Sequence, residues 1–400
     1  MKLDSLWSTI ERHAKGTDHP FYLYDRSEIK ANWTNLLEVL PKTTAVYYSL
    51  KANSHPEILK TLVGLGACAD IASEGELRAA LQAGFQPQQI EFTGPGKTLS
   101  ELRAACEVGV GTIVVESVQE LVALDEIGRG LGRQIDVSIR INPKCYVSAS
   151  GRTVLNEPSQ FGIDEAQLPQ LAQEVLKLRH VQLRGSHCHV QSHVLSAKLI
   201  VQNFHAAASA GLALQANIGR NLSHVNLGGG LGIPYAEGQS AVDLKTLRDD
   251  LTALQTDDKM RPLLNAQLRI ELGRYLVGTA GVFVTKVLYT KESFGSQFAV
   301  VNGGFRQCQI ACGAGQVVRR NFLVSLNPDR TATTPPLQSA LQKTTIAGPS
   351  CYGQDILAAG VALPPLKTGD LVCIQNVGAY GYSFSPIHFL RQAPADEVFV

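Results

Sequence analysis

Short apolar runs alternate with longer amphipathic stretches through the first 275 residues of the chain. The runs lie at 44–50, 67–72, 90–93, 112–115, 135–141, 181–189, 224–227 and 267–271. They are too short for helices and are bounded by turn residues, so they read as buried strands. Between them, 56–65, 74–83, 100–108, 118–127 and 165–178 carry apolar residues at helical spacing. Eight such units predict an α/β chain built on a (β/α)8 TIM barrel, a fold of about 250 residues.

Beyond residue 275 the helical spacing fades. Runs at 282–289, 297–301, 344–347, 371–377 and 397–400 read as strands, and 327–336 (NPDRTATTPP) reads as a surface loop. The early run 21–24 falls outside the barrel rhythm and is expected to pair with these late strands. The expected division is therefore an N-terminal segment (1–27) joining the β domain, a barrel (28–275), and a C-terminal β domain (276–400) of sandwich or barrel form. There is no internal repeat and no low-complexity segment.

Composition narrows the function. Hydrophobic residues are 44% of the chain and charged ones 18%, enough apolar material for a sizeable core. A net charge of +1 leaves no electrostatic footprint for nucleic acid or an acidic membrane. The expected partner is a small-molecule substrate. Residues 1–16 lack the apolar core of a secretory signal, and no run approaches the 18 apolar residues of a membrane span. The eight cysteines are scattered without a C-x-x-C pair, which fits reduced thiols in the cytoplasm and no zinc site.

A barrel of this type builds its site at the C-terminal ends of its strands. Lys51 follows the first, Asp70 and Ser73 the second, Thr93 and Gly94 the third, and Arg140 and Asn142 the fifth. His187 and His189 end the sixth, Gly228-Gly229-Gly230 follows the seventh, and Glu271 to Arg274 close the eighth. Lys51 is either a polar boundary or an amine able to attack a carbonyl carbon. The glycines suit a tight turn or a phosphate cradle, where Arg274 could add a charge-assisted contact or simply form a surface ion pair.

His187 and His189 alternate across a strand and so cannot readily share a metal; one faces the interior, as a structural histidine or as a ring stacked on a planar cofactor. Glu271 interrupts an apolar run, and a buried carboxylate needs a partner. Either a barrel arginine such as Arg140 or a protonated ring nitrogen would serve. Taken together, amine, cradle, stacking ring and acid are what pyridoxal 5′-phosphate requires.

The motifs resemble those of the fold-type III pyridoxal-phosphate decarboxylases, the ornithine and diaminopimelate decarboxylase family, from Phe21 to the C-terminus. The resemblance implies the alanine racemase-like fold. YYSLKAN resembles the lysine motif, placing the Schiff base on Lys51. ADIASEGEL implies Asp70 and Glu76 near the cofactor, and Arg140, at the end of the fifth strand, is also expected to contact it. HCHVQSH implies His189 on the pyridine face and Ser192 near the phosphate. GGGLGIPY (Gly228, Gly229, Gly230) resembles the phosphate loop, and ELGR implies Glu271 at the pyridine nitrogen with Arg274 at the phosphate. GPSCYGQD implies Cys351 as the acid that protonates the product carbanion, and GAYGYSF places Tyr380 near the phosphate. Family members act as head-to-tail homodimers with the cysteine supplied across the interface.

This sequence departs from the family pattern in four places. Gln191 replaces a usual glycine, Leu272 a common proline, and Tyr352 the acid that grips a distal ammonium group. Asn302-Gly303-Gly304 lacks the aspartate with which ornithine decarboxylase binds that group. The missing acids imply a substrate whose far end is not a simple ammonium, met by Arg306, Tyr352, Asp355 and Tyr382. TGPGKTLSELRAA, ELGRYLVGTAGVFVTKVL and GAYGYSFSPIHFL look most like decarboxylases of carboxylate-siderophore pathways such as staphyloferrin B, which act on amino acids joined to citrate. The alternatives are a decarboxylase of free diaminopimelate, ornithine or lysine, a racemase, and a non-catalytic relative of the antizyme-inhibitor kind. Glu271 argues against the racemase, because alanine racemases place arginine there. The full motif set argues against the non-catalytic relative.

Overall fold

The structure, a computed structural model, describes every residue except 2, 148–152, 156, 257–259, 261–262, 264, 315–318 and 328–340. Most of the loop expected at 327–336 thus lies outside the described residues. The chain forms two compact units. One comprises Met1–Asn32, Ile233–Ser240 and Arg274–Val400, the other Trp33–Gly232 and Ala241–Gly273.

The second unit is a closed barrel. Its strands are Ala45–Ser49, Cys68–Ile71, Ile90–Phe92, Thr112–Val115, Ile135–Asn142, Val181–His187, His224–Asn226 and Gln267–Leu272. Each pairs in parallel with the next, and the eighth pairs in parallel with the first. Parallel pairing needs long crossovers, which the helices supply. They begin and end where the sequence supplies caps. Thr98 and Glu101 form a capping box before Leu99–Val108, and Gly109 takes the left-handed conformation after it (φ +85°). The longest helix, Ala197–Ile218, starts at the Ser196 cap.

The sixth strand stops at His187, two residues short of the expected end. The Cys188 N–H donates to the Asn226 carbonyl (3.1 Å), and the chain then loops until the Val194 N–H meets the Gly230 carbonyl (2.7 Å). Strand alternation therefore does not carry through to His189, and the expectation that the two histidines face opposite sides is corrected. A short hairpin (Cys145–Val147 with Thr153–Leu155) and the strand Ile163–Asp164 follow the fifth barrel strand.

The first unit holds an eight-stranded mixed sheet. Phe21–Tyr24 lies in it between Gly281–Ser293, antiparallel, and Asp396–Phe399, parallel. Trp7 and Ile10 of the helix Trp7–Gly16 pack on Phe21, Leu23, Val282 and Val284. Among the described residues no helix is long and apolar enough to cross a membrane.

Candidate active site

The C-terminal rim of the barrel gathers charged side chains onto apolar strands. Lys51 sits in the turn Leu50–Ala52 directly after the first strand, half in solvent, with Nζ 3.7 Å from Asp70 Oδ2. Asp70 is buried and accepts the Thr93 hydroxyl at Oδ1 (2.7 Å). Burial raises the pKa of Asp70, the nearby Glu271 raises it further, and Lys51 and Thr93 oppose them; the net direction is upward. Glu76, in the first turn of Glu74–Ala83, accepts the Ala72 N–H at Oε2 (2.7 Å), and burial raises its pKa too.

Below the rim, Glu271 Oε1 accepts from His187 Nε2 (2.7 Å) and from the Asn226 amide (2.8 Å). The same Asn226 nitrogen reaches Glu91 Oε1 (2.8 Å), and Glu91 Oε2 pairs with Arg269 Nη1 (2.9 Å). Burial pushes Glu271 up, but His187, Lys51 and His189 outweigh it and hold the carboxyl below its usual range. Glu271 is therefore ionised, paired with His187 and not with Arg140. The ligand atoms of Glu91, His187 and Glu271 lie within 4.8 Å of one another, but the Asn226 amide already bridges the two acids.

His189 lies on the loop after the sixth strand. Its Nδ1 accepts the Gly229 N–H (3.3 Å), and its Nε2 is 3.0 Å from Ser192 Oγ. Removal from water lowers the ring's pKa to about 4, so near neutrality it is uncharged, with its proton on Nε2 facing Ser192. Gln191 turns its side chain to Asn203 (3.2 Å). Gly228 and Gly230 take positive φ, and a Cβ on Gly229 would overlap the Glu271 carbonyl, so the loop must be glycine for backbone to pass backbone. The Gly228 N–H is held by Asn226 Oδ1 (2.9 Å). Arg140 is 3.0 Å from Glu116 and 4.5 Å over the Phe161 ring.

The remaining candidates belong to the first unit. Arg274 lies between two rings, 4.7 Å from the centre of Tyr380 and 5.4 Å from that of Tyr235, whose hydroxyl it also bonds. Tyr380 takes φ +60°, an uncommon conformation for a tyrosine. Cys351 and Tyr352 are exposed, with Tyr352 packed on Phe305 (4.7 Å). Tyr382 is half-buried and edges onto Tyr22 (6.0 Å).

Two residues expected at the substrate are otherwise engaged, which corrects that reading of them. Arg306 is buried, and its Nη1 and Nη2 donate to the carbonyls of Ile387 and Ala393. Asp355 is buried and accepts the Phe305 N–H (2.6 Å) and the Ser350 N–H (3.0 Å), tying down the loop that carries Cys351. Sequence reasoning missed Asn226, Glu91, Glu116 and Tyr235. Asn226 and Tyr235 flank the glycine loop and Glu116 follows a strand end, whereas Glu91 is a lone acid in the middle of the short strand Ile90–Phe92.

Pyridoxal phosphate needs an amine for its aldehyde, an ionised acid for its ring nitrogen and a neutral flat face for its ring. The barrel rim offers a group of each kind, and among the described residues no donor meets Glu271 Oε2. Fold and site together define a barrel-type pyridoxal-phosphate enzyme. A model of the family described as "Pyridoxal-dependent decarboxylase, pyridoxal binding domain" matches residues 26–278, and the chain belongs to that family: it is a decarboxylase with pyridoxal phosphate as cofactor.

The chain is 35% identical over 398 residues to the L-glutamyl-[BtrI acyl-carrier protein] decarboxylase of Niallia circulans, covering 100% of this chain and 92% of that one. It is 29% identical to the 2-[(L-alanin-3-ylcarbamoyl)methyl]-2-hydroxybutanedioate decarboxylase of Staphylococcus aureus, covering 96% of each. Among solved structures, diaminopimelate decarboxylase from Helicobacter pylori complexed with L-lysine superposes with a TM-score of 0.84 at 28% identity, over 98% of this chain and 94% of the other.

Proposed function

We propose that the chain removes the α-carboxyl group of an amino acid whose side-chain end is joined to a larger acyl group. A citryl-amino acid of carboxylate-siderophore biosynthesis is the leading case. Tyr352 carries this reading. Beside exposed Cys351 stands an exposed aromatic ring resting on Phe305, where resemblance to the diamine-type members implies an acid. An uncharged flat face suits an amide- or thioester-linked tail better than a free ammonium. The two relatives named above support it, since one is named for a carrier-bound glutamyl group and the other for an alanine amide of a hydroxy-tricarboxylate.

Bound pyridoxal phosphate supplies an electron sink for the pair left as the carboxylate departs. Lys51 would hold the cofactor through its amine, with Asp70 governing the proton on that amine and Glu76 adding negative charge nearby. His189 would lie against the ring, Glu271 would meet its nitrogen, and Ser192, Arg274, Tyr380 and the Gly228–Gly230 loop, through its Gly230 N–H because those of Gly228 and Gly229 are engaged, would hold the phosphate. Arg140 would steady the rim through Glu116.

Cys351 would return a proton to the substrate α-carbon. In this proposal it does so across a homodimer interface. Support comes from the exposed Tyr352 (42%), Phe384 (55%) and Leu390 (45%), large apolar side chains of the kind that mark interaction surfaces. Eight free cysteines fit a cytoplasmic setting.

The test is carbon dioxide release by the purified holoenzyme from a citryl-linked diamino acid, a carrier-bound glutamyl thioester, diaminopimelate, ornithine and lysine. A conjugate should give the highest kcat/KM. Turnover of free diamino acids alone would establish the second reading, a diaminopimelate-type decarboxylase, which the likeness to the lysine-bound structure favours.

A further inference from the structure

We propose that His187 and Asn226 are positioning residues that fix the Glu271 carboxylate so that its second oxygen is presented to the cofactor's ring nitrogen. The inference rests on the reading that Glu271 meets that nitrogen, and it assigns how the barrel core prepares the acid for it.

Both donors converge on the same oxygen, Oε1, at 2.7 and 2.8 Å. Two donors saturate that oxygen's lone pairs and stop the carboxylate from rotating about its terminal bond. Oε2 is thereby left for a further donor. The Asn226 amide is itself locked. Its oxygen accepts the Gly228 N–H, so its nitrogen must face the two acids, one N–H to Glu271 and one to Glu91. Arg269 pairs with Glu91 at 2.9 Å and so offsets part of the charge that faces Glu271 across the amide.

His187 carries a second sign that it is kept for this contact. It is buried, and its Nδ1 meets no partner among the described residues. An orphaned polar atom in a barrel core destabilises the fold, and an apolar side chain there would avoid it. The ring is therefore retained for what Nε2 does, which is to donate to an ionised acid. Sixth, seventh and eighth strands each contribute one member, so the closed barrel sets the geometry before any ligand arrives.

The test compares the affinity of the apoprotein for pyridoxal phosphate and for its 1-deaza analogue, in which C–H replaces the ring nitrogen, read from cofactor absorbance. The wild type should prefer pyridoxal phosphate by about tenfold or more, the worth of a hydrogen bond to a charged group. His187→Leu should lose most of that preference, and His187→Gln, which keeps an N–H donor, should regain part of it. A preference unchanged in His187→Leu overturns the proposal, even if both ligands bind more weakly. Absence of any preference in the wild type would instead refute the role of Glu271 on which the proposal stands. Should His187→Leu fail to fold, the same ratio is read in Asn226→Ser, where a retained preference again overturns it.

Discussion

Lys51 Nζ stands 3.7 Å from Asp70 Oδ2, with the lysine half in solvent and the aspartate almost wholly enclosed. An anionic Asp70 favours the protonated amine, and a protonated amine cannot take up an aldehyde. Asp70→Asn keeps an oxygen for the Thr93 hydroxyl and removes the charge. Cofactor uptake by the apoprotein should then persist to lower pH, its acid limb moving down by about one unit. An unmoved limb in stopped-flow absorbance would mean that Asp70 bears no charge in that range.

His224 lies in the barrel core, 2.6 Å from the Ser138 hydroxyl, and its pKa is driven down to about 2 by burial, aided by Arg269 and Arg184. A histidine whose folded pKa lies below its unfolded one stabilises fully above the unfolded value, near 6.5, and progressively less as pH falls. As pH falls below about 6 the loss should approach about 1.4 kcal/mol of stability per pH unit. His224→Gln lacks this dependence, so denaturant curves of variant and wild type should converge as pH drops. Parallel pH dependences would contradict the assignment.

The barrel was legible because its strands are short and either almost continuously buried, as in Thr112–Val115, or apolar at alternate positions, as in Ile135–Asn142. Lys51 and the glycine loop were legible because their signals are local. What escaped depends on long-range contacts. His187 and Asn226 acquire their partner Glu271 across 84 and 45 residues, and no local spacing announces that. Arg306 looked available as a charge, yet carbonyls 81 and 87 residues away take up its two terminal nitrogens. The sixth strand ran two residues long because apolar Cys188 continues the pattern through the point where the chain turns.

The proposed dimer with shared sites makes a quantitative prediction. Cys351→Ala should lower kcat by about 10²–10⁴-fold, the usual weight of a proton donor, and Lys51→Ala should abolish turnover. If each site takes its lysine from one subunit and its cysteine from the other, mixing the two inactive variants rebuilds one intact site in each mixed dimer. Random exchange should restore about a quarter of wild-type activity. No recovery, with subunit exchange verified by mass, would place both residues in one subunit's site or show that the sites are not shared.

Tyr352 offers the sharpest handle on substrate choice. It is exposed, so replacing it strains no core, and it follows directly on Cys351. Tyr352→Glu introduces a carboxylate where diamine-type members carry an acid, and a charge pair at a partly desolvated site is worth about tenfold to a hundredfold in selectivity. The kcat/KM for lysine or ornithine relative to a conjugate should rise by that order. Arg306→Met is the control. Because its guanidinium serves backbone carbonyls, it should lower the melting temperature without shifting that ratio. A shift in substrate preference from Arg306→Met, with none from Tyr352→Glu, would move the selectivity determinant from Tyr352 to Arg306.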